Sequence, residues 1–373
     1  MDKERLSVVA LNSVSSLTPK KIISLIDYFG SAENVLSADA KEFQTVFEMP
    51  EKIVSEIKKV SDLSFAEREI DLAEKNNIKI VTYKDETYPE QLKNICDYPP
   101  VLYIKGNYDN KKDYVSVSIV GSRRATNYGK TVTDNFCKYF AQNSITTVSG
   151  LAGGIDTQAH VSTLKNSGKT VAVLGNGLLY YYPAENRKLQ EQIYEKGAVI
   201  SEFALNQRPD KINFPRRNRI VAALSLATVV VEAAIKSGSL ITADLACDYG
   251  KDVFAVPGPV FSKYSQGTNN LIKSGAYIAL TPQDVCEQNV FLYDTVKKIK
   301  KKKAAKNINS VFKGDKSSIN VLKMIQSSIN GLSLDEISAK TNIPVSQLSV
   351  ILLELELSGY IKSVPGQIYI RMS

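Results

Sequence analysis

Residues 115–130 read VSVSIVGSRRATNYGK: an apolar, β-branched run ends on Gly121 and gives way to a polar stretch. A short apolar run bounded by such a turn signal reads as a buried strand that delivers the chain into a loop. The pattern recurs in ITTVS (145–149), TVAVL (170–174), AVISE (198–202), ATVVVEA (227–233) and DVFAVP (252–257), separated by segments long enough for a helix each. Glycine again follows the strand at Gly150, Gly175 and, after Pro257, Gly258. This βαβ rhythm predicts an α/β fold, an extended Rossmann-like, doubly wound, mostly parallel sheet covered on both faces. Ligands of open α/β sheets bind outside the carboxyl ends of the strands, so these loops are expected to line one crevice.

Outward from the sheet the texture changes. Residues 1–75 alternate apolar and polar at helical spacing, as in Ile22, Ile23, Leu25, Ile26 and Phe29, and predict a small helical domain. Residues 76–290 form the sheet domain, entered through the β-rich pieces IKIVTY and VLYIKG with Pro89, Pro99 and Pro100 between them. Residues 291–316 hold Lys297, Lys298, Lys300, Lys301, Lys302, Lys303 and Lys306 and read as a flexible lysine-rich linker. In 317–373, three helical segments and a hairpin turned at Pro365 and Gly366 predict a winged helix.

The net charge of +8 points toward an acidic partner such as nucleic acid, but seven of the lysines crowd into 297–306 and the rest is nearly balanced. A second basic cluster, Arg208, Lys211, Arg216, Arg217 and Arg219, is opposed only by Asp210 and focuses charge inside the sheet domain. The winged helix pairs Lys323, Lys340, Lys362 and Arg371 with Asp335, Glu336, Glu354 and Glu356, so it has no electrostatic footprint and a protein-contact role is expected of it. No apolar run approaches the roughly 18–20 residues of a membrane helix. With a polar start at Met1–Arg5, a cytoplasmic location is expected. The cysteines Cys96, Cys137, Cys247 and Cys286 lie far apart, and His160 is the single histidine. Reduced core thiols are expected, with no metal site.

Two loops have the makings of phosphate cradles: VGSRRATNYGK (120–130), with Gly121, Ser122, Arg123 and Arg124, and SGLAGGIDTQAH (149–160), with Gly150, Gly153 and Gly154. Such glycines also serve plain strand-to-helix turns; Arg123 and Arg124 tip the reading, because a turn does not need guanidinium at its mouth. The segment KINFPRRNRIVAALS (211–225) adds Lys211, Phe214, Arg216, Arg217, Asn218 and Arg219. Cations beside an aromatic ring suit single-stranded nucleic acid, charge for the backbone and a ring face for an unstacked base. Neither GxGxxG placed for a dinucleotide nor GxxxxGK[ST] is present, which disfavours a nicotinamide dehydrogenase or a P-loop ATPase. Ser122, Ser149, Asp156 and His160 invite a hydrolase reading, but an i,i+4 bond or a helix-start cap accounts for Asp156 and His160. Glu202 and Glu232 at strand ends are expected to hold the arginines of 211–219 rather than to act as a catalytic pair.

Taken together, VSIVGSRRATNYG, VSGLAGGIDTQAH, TVAVLGNGLLYYYPAEN, GAVISEF, NFPRRNRIVAALS, VVVEAAIKSGSLITA and DVFAVPG, in this order and spacing, resemble the bacterial DNA-processing protein A (DprA/Smf) family. The likeness extends to a SAM/helix-hairpin-helix-like N-terminal domain, which here lacks the GxG hairpin, and to the winged helix. It implies a non-catalytic, cofactor-free protein that coats and protects incoming single-stranded DNA during natural transformation, helps load the RecA recombinase onto it, and pairs as a homodimer through the sheet domain. Residue by residue it places Arg123, Lys211, Phe214 and Arg217 on the strand. Many members carry an aspartate in the third strand-end loop, where this chain has Leu179. The alternative from another class is a nucleotide-processing phosphoribohydrolase on a similar fold, which carries PGGxGTxxE. Here EAAIKSGSLITA stands at that place, with Glu232 before the glycine and no glutamate after Thr242. A transcription factor built on the winged helix would leave the sheet domain unexplained.

Overall fold

Strands buried on both faces need cover on both faces, and the chain supplies it. The computed structural model describes residues 2–311, 316–328 and 331–371. The chain opens with helices α1 (Lys3–Asn12), α2 (Pro19–Phe29), α3 (Ala32–Ser37), α4 (Ala40–Phe47), α5 (Glu51–Lys59) and α6 (Ser64–Lys75). Their ends are written locally: Thr18 caps α2 through Lys21 N with Pro19 in its first turn, and Gly30 closes it in the left-handed conformation at φ +84°.

Strands β1 (Lys79–Thr82), β2 (Val101–Gly106), β3 (Ser116–Val120), β4 (Thr146–Ser149), β5 (Thr170–Val173), β6 (Ala198–Ser201), β7 (Ala227–Val230), β8 (Asp252–Ala255) and β9 (Tyr277–Ile278) form one sheet in the order β1-β2-β6-β5-β4-β3-β7-β8-β9. The pairs β1–β2 and β2–β6 are antiparallel and the rest parallel. The order reverses at β3, since the chain builds outward to β6 and then returns to lay β7 on the other side. A switch point of this kind opens a crevice beyond the strand ends. The crossovers contain α7 (Asn127–Gln142), α8 (Ile155–Lys165), α9 (Arg187–Lys196), α10 (Asn213–Ala223) and α11 (Gly238–Asp248); α12 (Gln266–Lys273) and α13 (Pro282–Gln288) flank β9. Phe136, Cys137 and Phe140 of α7 fill one face, and Ile220, Val221 and Leu224 at α10 fill the other. Each such aliphatic side chain contributes about 1.5–3 kcal/mol.

The boundary expected after residue 75 is not a break in packing. Val9, Leu11, Leu25 and Ile70 share a core with Tyr103, Leu174, Val199 and Leu205, and residues 1–296 form one compact unit. Polar ties cross the same seam: Leu205 N donates to buried Glu69 (2.5 Å), and Asn12 Nδ2 donates to the carbonyl of Glu202 (3.0 Å).

The lysine run departs from the flexible linker expected over 291–316. It belongs to α14 (Val290–Val311), which Leu292 and Val296, buried four residues apart, anchor in the sheet unit. Lysine and alanine are good helix formers, so a helix nucleated on that apolar pair continues through the charges. Residues 312–315 of the expected linker lie outside the described residues. The second unit, 297–373, contains α15 (Lys316–Ser327), α16 (Leu334–Thr341) and α17 (Val345–Leu357), with β10 (Leu332–Ser333), β11 (Ile361–Val364) and β12 (Ile368–Arg371) in the order β10-β12-β11. This is a winged helix: Asn342, at φ +55°, stops α16, and the wing turns at Gly366, at φ +92°. Among the described residues no helix is long and apolar enough to cross a membrane. The cysteines divide, Cys137 and Cys286 buried but Cys96 and Cys247 exposed, so only the first two are the core thiols expected.

Candidate nucleic-acid interface

The loops after β3, β4, β7 and β8 converge with the start of α10 around a crevice of about 660 Å³. A smaller cavity of about 380 Å³ adjoins it and shares Arg123, Gly150, Tyr182, Phe214 and Arg217 with it. The Arg123 guanidinium carbon lies 5.5 Å from the centre of the Phe214 ring, and Tyr182 stacks at the same centroid distance on that ring with a 31° tilt. Phe214 sits close over the chain at Gly175, where any side chain would meet the ring at 2.7 Å. That contact holds the ring at the mouth instead of letting it sink into the core.

Arg123, Arg124, Lys211 and Lys263 line the larger cavity and are exposed. The one carboxylate lining it among the described residues is Asp156, which is buried. Burial raises its pKa, while Arg217, the amides of Ala152 and Gly150, and Arg123 pull it down. A wall of unopposed cations against a ring surface attracts a polyanion that carries bases.

The basic cluster of the sequence divides across α10, as a helix turning 100° per residue requires. Lys211, Phe214, Arg217 and Asn218 face the crevice, with Asn218 Nδ2 donating to the carbonyl of Gly238 (3.2 Å). Arg216 and Arg219, expected in the same site, are not among its lining residues. Arg219 is buried and donates to Glu202 (2.5 Å) and pairs with Asp97 (3.3 Å), while Arg216 lies 3.8 Å from Glu202 and over the Phe203 ring. Arg217 reaches the crevice floor but is only 4% exposed; its guanidinium donates to the carbonyls of Gly150 and Val173. It ties the β4 and β5 loops together, and a side chain at position 150 would meet that guanidinium at 2.5 Å.

The two cradle loops brace each other. Ile155 N donates to the carbonyl of Ser122 (3.1 Å), and Gly154, at φ +78°, packs where a side chain would strike that carbonyl at 2.2 Å. Ser122 Oγ accepts from Arg124 N (3.1 Å) and turns the loop. Gly121 and Gly150 line the larger cavity, and Gly153 and Gly154 the smaller.

Glu232 corrects one expectation. Among the described residues it pairs with no arginine; both its oxygens accept from Thr126, one from the amide (2.9 Å) and one from the hydroxyl (2.5 Å), which fixes the start of α7. The suspected triad is likewise dispersed. Asp156 accepts from Gly150 N (3.1 Å), Ser149 Oγ donates to the carbonyl of Ile119 (2.6 Å), and His160 Nδ1 bonds Thr170 Oγ1 (2.7 Å). Of the two expected accounts, an i,i+4 bond or a helix-start cap, the first is replaced by these, and Asp156 instead accepts from the amides of Gly150 and Ala152 in the loop ahead of α8. Burial lowers the His160 pKa to about 3, so the imidazole is neutral at working pH.

Tyr182, Lys263 and Tyr264 line the crevice although the sequence did not single them out as site residues. The signal for the latter two was present, because Gly258 marks the loop after β8 as one of the strand-end set and Lys263 and Tyr264 lie just beyond it.

The family model for DNA recombination-mediator protein A matches residues 79–289, and that for the DprA winged helix domain matches residues 320–367. Protein Smf of Escherichia coli (strain K12) is 35% identical over 320 residues, which cover 83% of each chain. The X-ray structure of DNA processing protein A (DprA) from Streptococcus pneumoniae superposes with a TM-score of 0.64 at 32% identity, over 75% of this chain and 96% of that one. DNA processing protein A from Helicobacter pylori, whose structure is described as giving insights into its single-stranded DNA binding mode, matches with a TM-score of 0.51 at 31% identity, over 59% of this chain and 97% of that one.

Proposed function

Because the chain belongs to the DNA recombination-mediator protein A (DprA/Smf) family, we propose that it binds single-stranded DNA in the crevice at the β3–β7 switch point, protects it, and helps load RecA onto it during transformation and recombination in the cytoplasm. The observation that carries this reading is the crevice itself: exposed Arg123, Arg124, Lys211 and Lys263 around the Phe214–Tyr182 stack, with the one lining carboxylate buried. Bound strand lays its phosphates on the cations and a base on the rings; no bond in the DNA is broken. Arg217 acts by holding the loops rather than by touching the strand. The winged helix adds little duplex affinity, since α17 has neither lysine nor arginine and exposes Val350, Leu353 and Leu357. Those side chains suit contact with protein.

The test is fluorescence anisotropy with an oligothymidine strand and a matched duplex over a salt series. The wild type prefers the strand, and Arg123→Ala with Lys211→Ala weakens it and lowers the log–log salt slope by about 1.4, roughly 0.7 for each phosphate no longer neutralised. The same double variant fails to speed RecA filament formation on the strand. An unchanged slope overturns the site assignment.

The protein acts as a homodimer joined through the sheet domain. Supporting this, β9 ends the sheet with both residues exposed, and Leu280 beside it is 71% exposed, an apolar edge that a second copy would cover. Ile278→Glu is expected to halve the sedimenting mass at micromolar concentration; a wild type that already sediments as a monomer rejects the dimer.

A further inference from the structure

The crevice has a second lip, made by the turn between β8 and α12, whose Lys263 and Tyr264 line it. Phe261 at its tip is 97% exposed and Val260 beside it 71%. One exposed apolar side chain on a surface needs no explanation, but this pair stands on a turn that is fastened at both ends. Tyr128 Oη donates to the carbonyl of Pro257 (2.8 Å), and Asn269 both donates to the carbonyl of Gly258 (3.0 Å) and accepts from its amide (3.2 Å). Ser262 N donates to the carbonyl of Pro259 (2.9 Å), Ser265 N to that of Ser262 (3.0 Å), and Ala233 N to that of Tyr264 (2.8 Å). The turn therefore presents Phe261 in a set place. Two residues on, at most about 7 Å along the chain, Lys263 lines the crevice with its ammonium 5.2 Å over the Tyr264 ring. This lip repeats in miniature the chemistry of the Phe214 lip, a cation and rings at the mouth of the same cleft.

We propose that Phe261 is a second base-stacking position, with Lys263 as its phosphate contact, engaged by the part of a single strand that leaves the Phe214 lip. The proposal rests on the single-strand reading of the crevice and extends it to this second lip. A strand long enough to bridge both lips uses Phe261; one that fills only the Phe214 side does not. Base–aromatic stacking is tolerant of sequence, so the gain depends on strand length rather than on base identity.

The chain has no tryptophan, so Phe261→Trp in the full-length protein introduces a single reporter at an exposed place where folding is not at stake. Its emission is expected to be quenched by an oligothymidine of about fifteen nucleotides and little changed by one of about four, lengths at the two ends of the site sizes such surfaces cover. In parallel, Phe261→Ala is expected to weaken the longer strand about tenfold and leave the shorter one unaffected, whereas Arg123→Ala with Lys211→Ala weakens both. If the cation variant weakens both strands while Phe261→Ala changes neither and the tryptophan stays unquenched, Phe261 is not a stacking position although the crevice reading stands. Should Phe261→Ala instead alter sedimentation alone, the tip is a protein contact and the proposal fails. A wild type that binds no strand overturns the crevice reading and this one with it.

Discussion

Arg217→Ala is expected to lose about 3–5 kcal/mol of stability and most of the single-strand affinity, through position rather than through phosphate binding. The guanidinium is buried and donates to the carbonyls of Gly150 and Val173, and its Nε donates to Asn218 Oδ1 (3.1 Å). Burial lowers its pKa to about 10, with Asp156 pulling up and Arg123 pushing further down, so it stays charged at neutral pH. Alanine leaves two buried carbonyls without donors, removes a cation near Asp156, and opens a void beneath the Phe214 lip. Lysine cannot replace it, because one ammonium on a flexible stem does not reproduce the fork that spans two strand ends. Urea unfolding gives the stability. Binding measured well below the unfolding midpoint then separates the two roles. If Arg217 positions the loops, affinity falls while the salt slope is kept; if it touches a phosphate, the slope falls by about 0.7 in a variant that remains stable, and the positioning role is wrong.

That distinction was beyond the sequence, and the reason is geometric. The run of strands ending in glycine made the parallel sheet and its crevice legible, because a strand buried on both faces has to be apolar throughout and a close loop approach has to be glycine. The four cations at 211–219 could be counted but not assigned to faces. Helix α10 starts at Asn213 without a side-chain cap, so nothing local announced its register, and a shift of one residue moves each arginine by 100°. The role of Glu232 is hidden from the sequence for a similar reason: its partner, Thr126, lies 106 residues away in a loop whose path depends on the whole sheet. The pieces IKIVTY and VLYIKG read as strands, yet the antiparallel attachment of VLYIKG, as β2, to β6 is a pairing across some hundred residues that local pattern does not encode. In the lysine run two local signals compete, a charge pattern that suits a linker and the helix propensity of lysine and alanine, and the second prevails.

Arg219 carries the other large expected effect, on the opposite side of α10. Its side chain and that of Glu202 are almost fully buried, 2.5 Å apart, with Asp97 at 3.3 Å and Arg216 at 3.8 Å. The network is incompletely satisfied, since Arg219 Nη1, Glu202 Oε1 and Asp97 Oδ1 find no hydrogen-bond partner among the described residues. Removing one member, as in Arg219→Met, strands Glu202 in the interior and is expected to lose about 3–5 kcal/mol. Replacing both, Arg219→Met with Glu202→Leu, removes the desolvated charges together. It is expected to recover most of that loss, so the cycle gives a coupling energy of a few kcal/mol. The double variant also tests the face assignment. An Arg219 that only orients α10 leaves the salt slope of strand binding where it was, whereas an Arg219 on the DNA lowers it even when the fold is restored. Strict additivity of the two substitutions would mean that the pair is not coupled and that α10 takes its orientation from apolar packing by Ile220, Val221 and Leu224 alone.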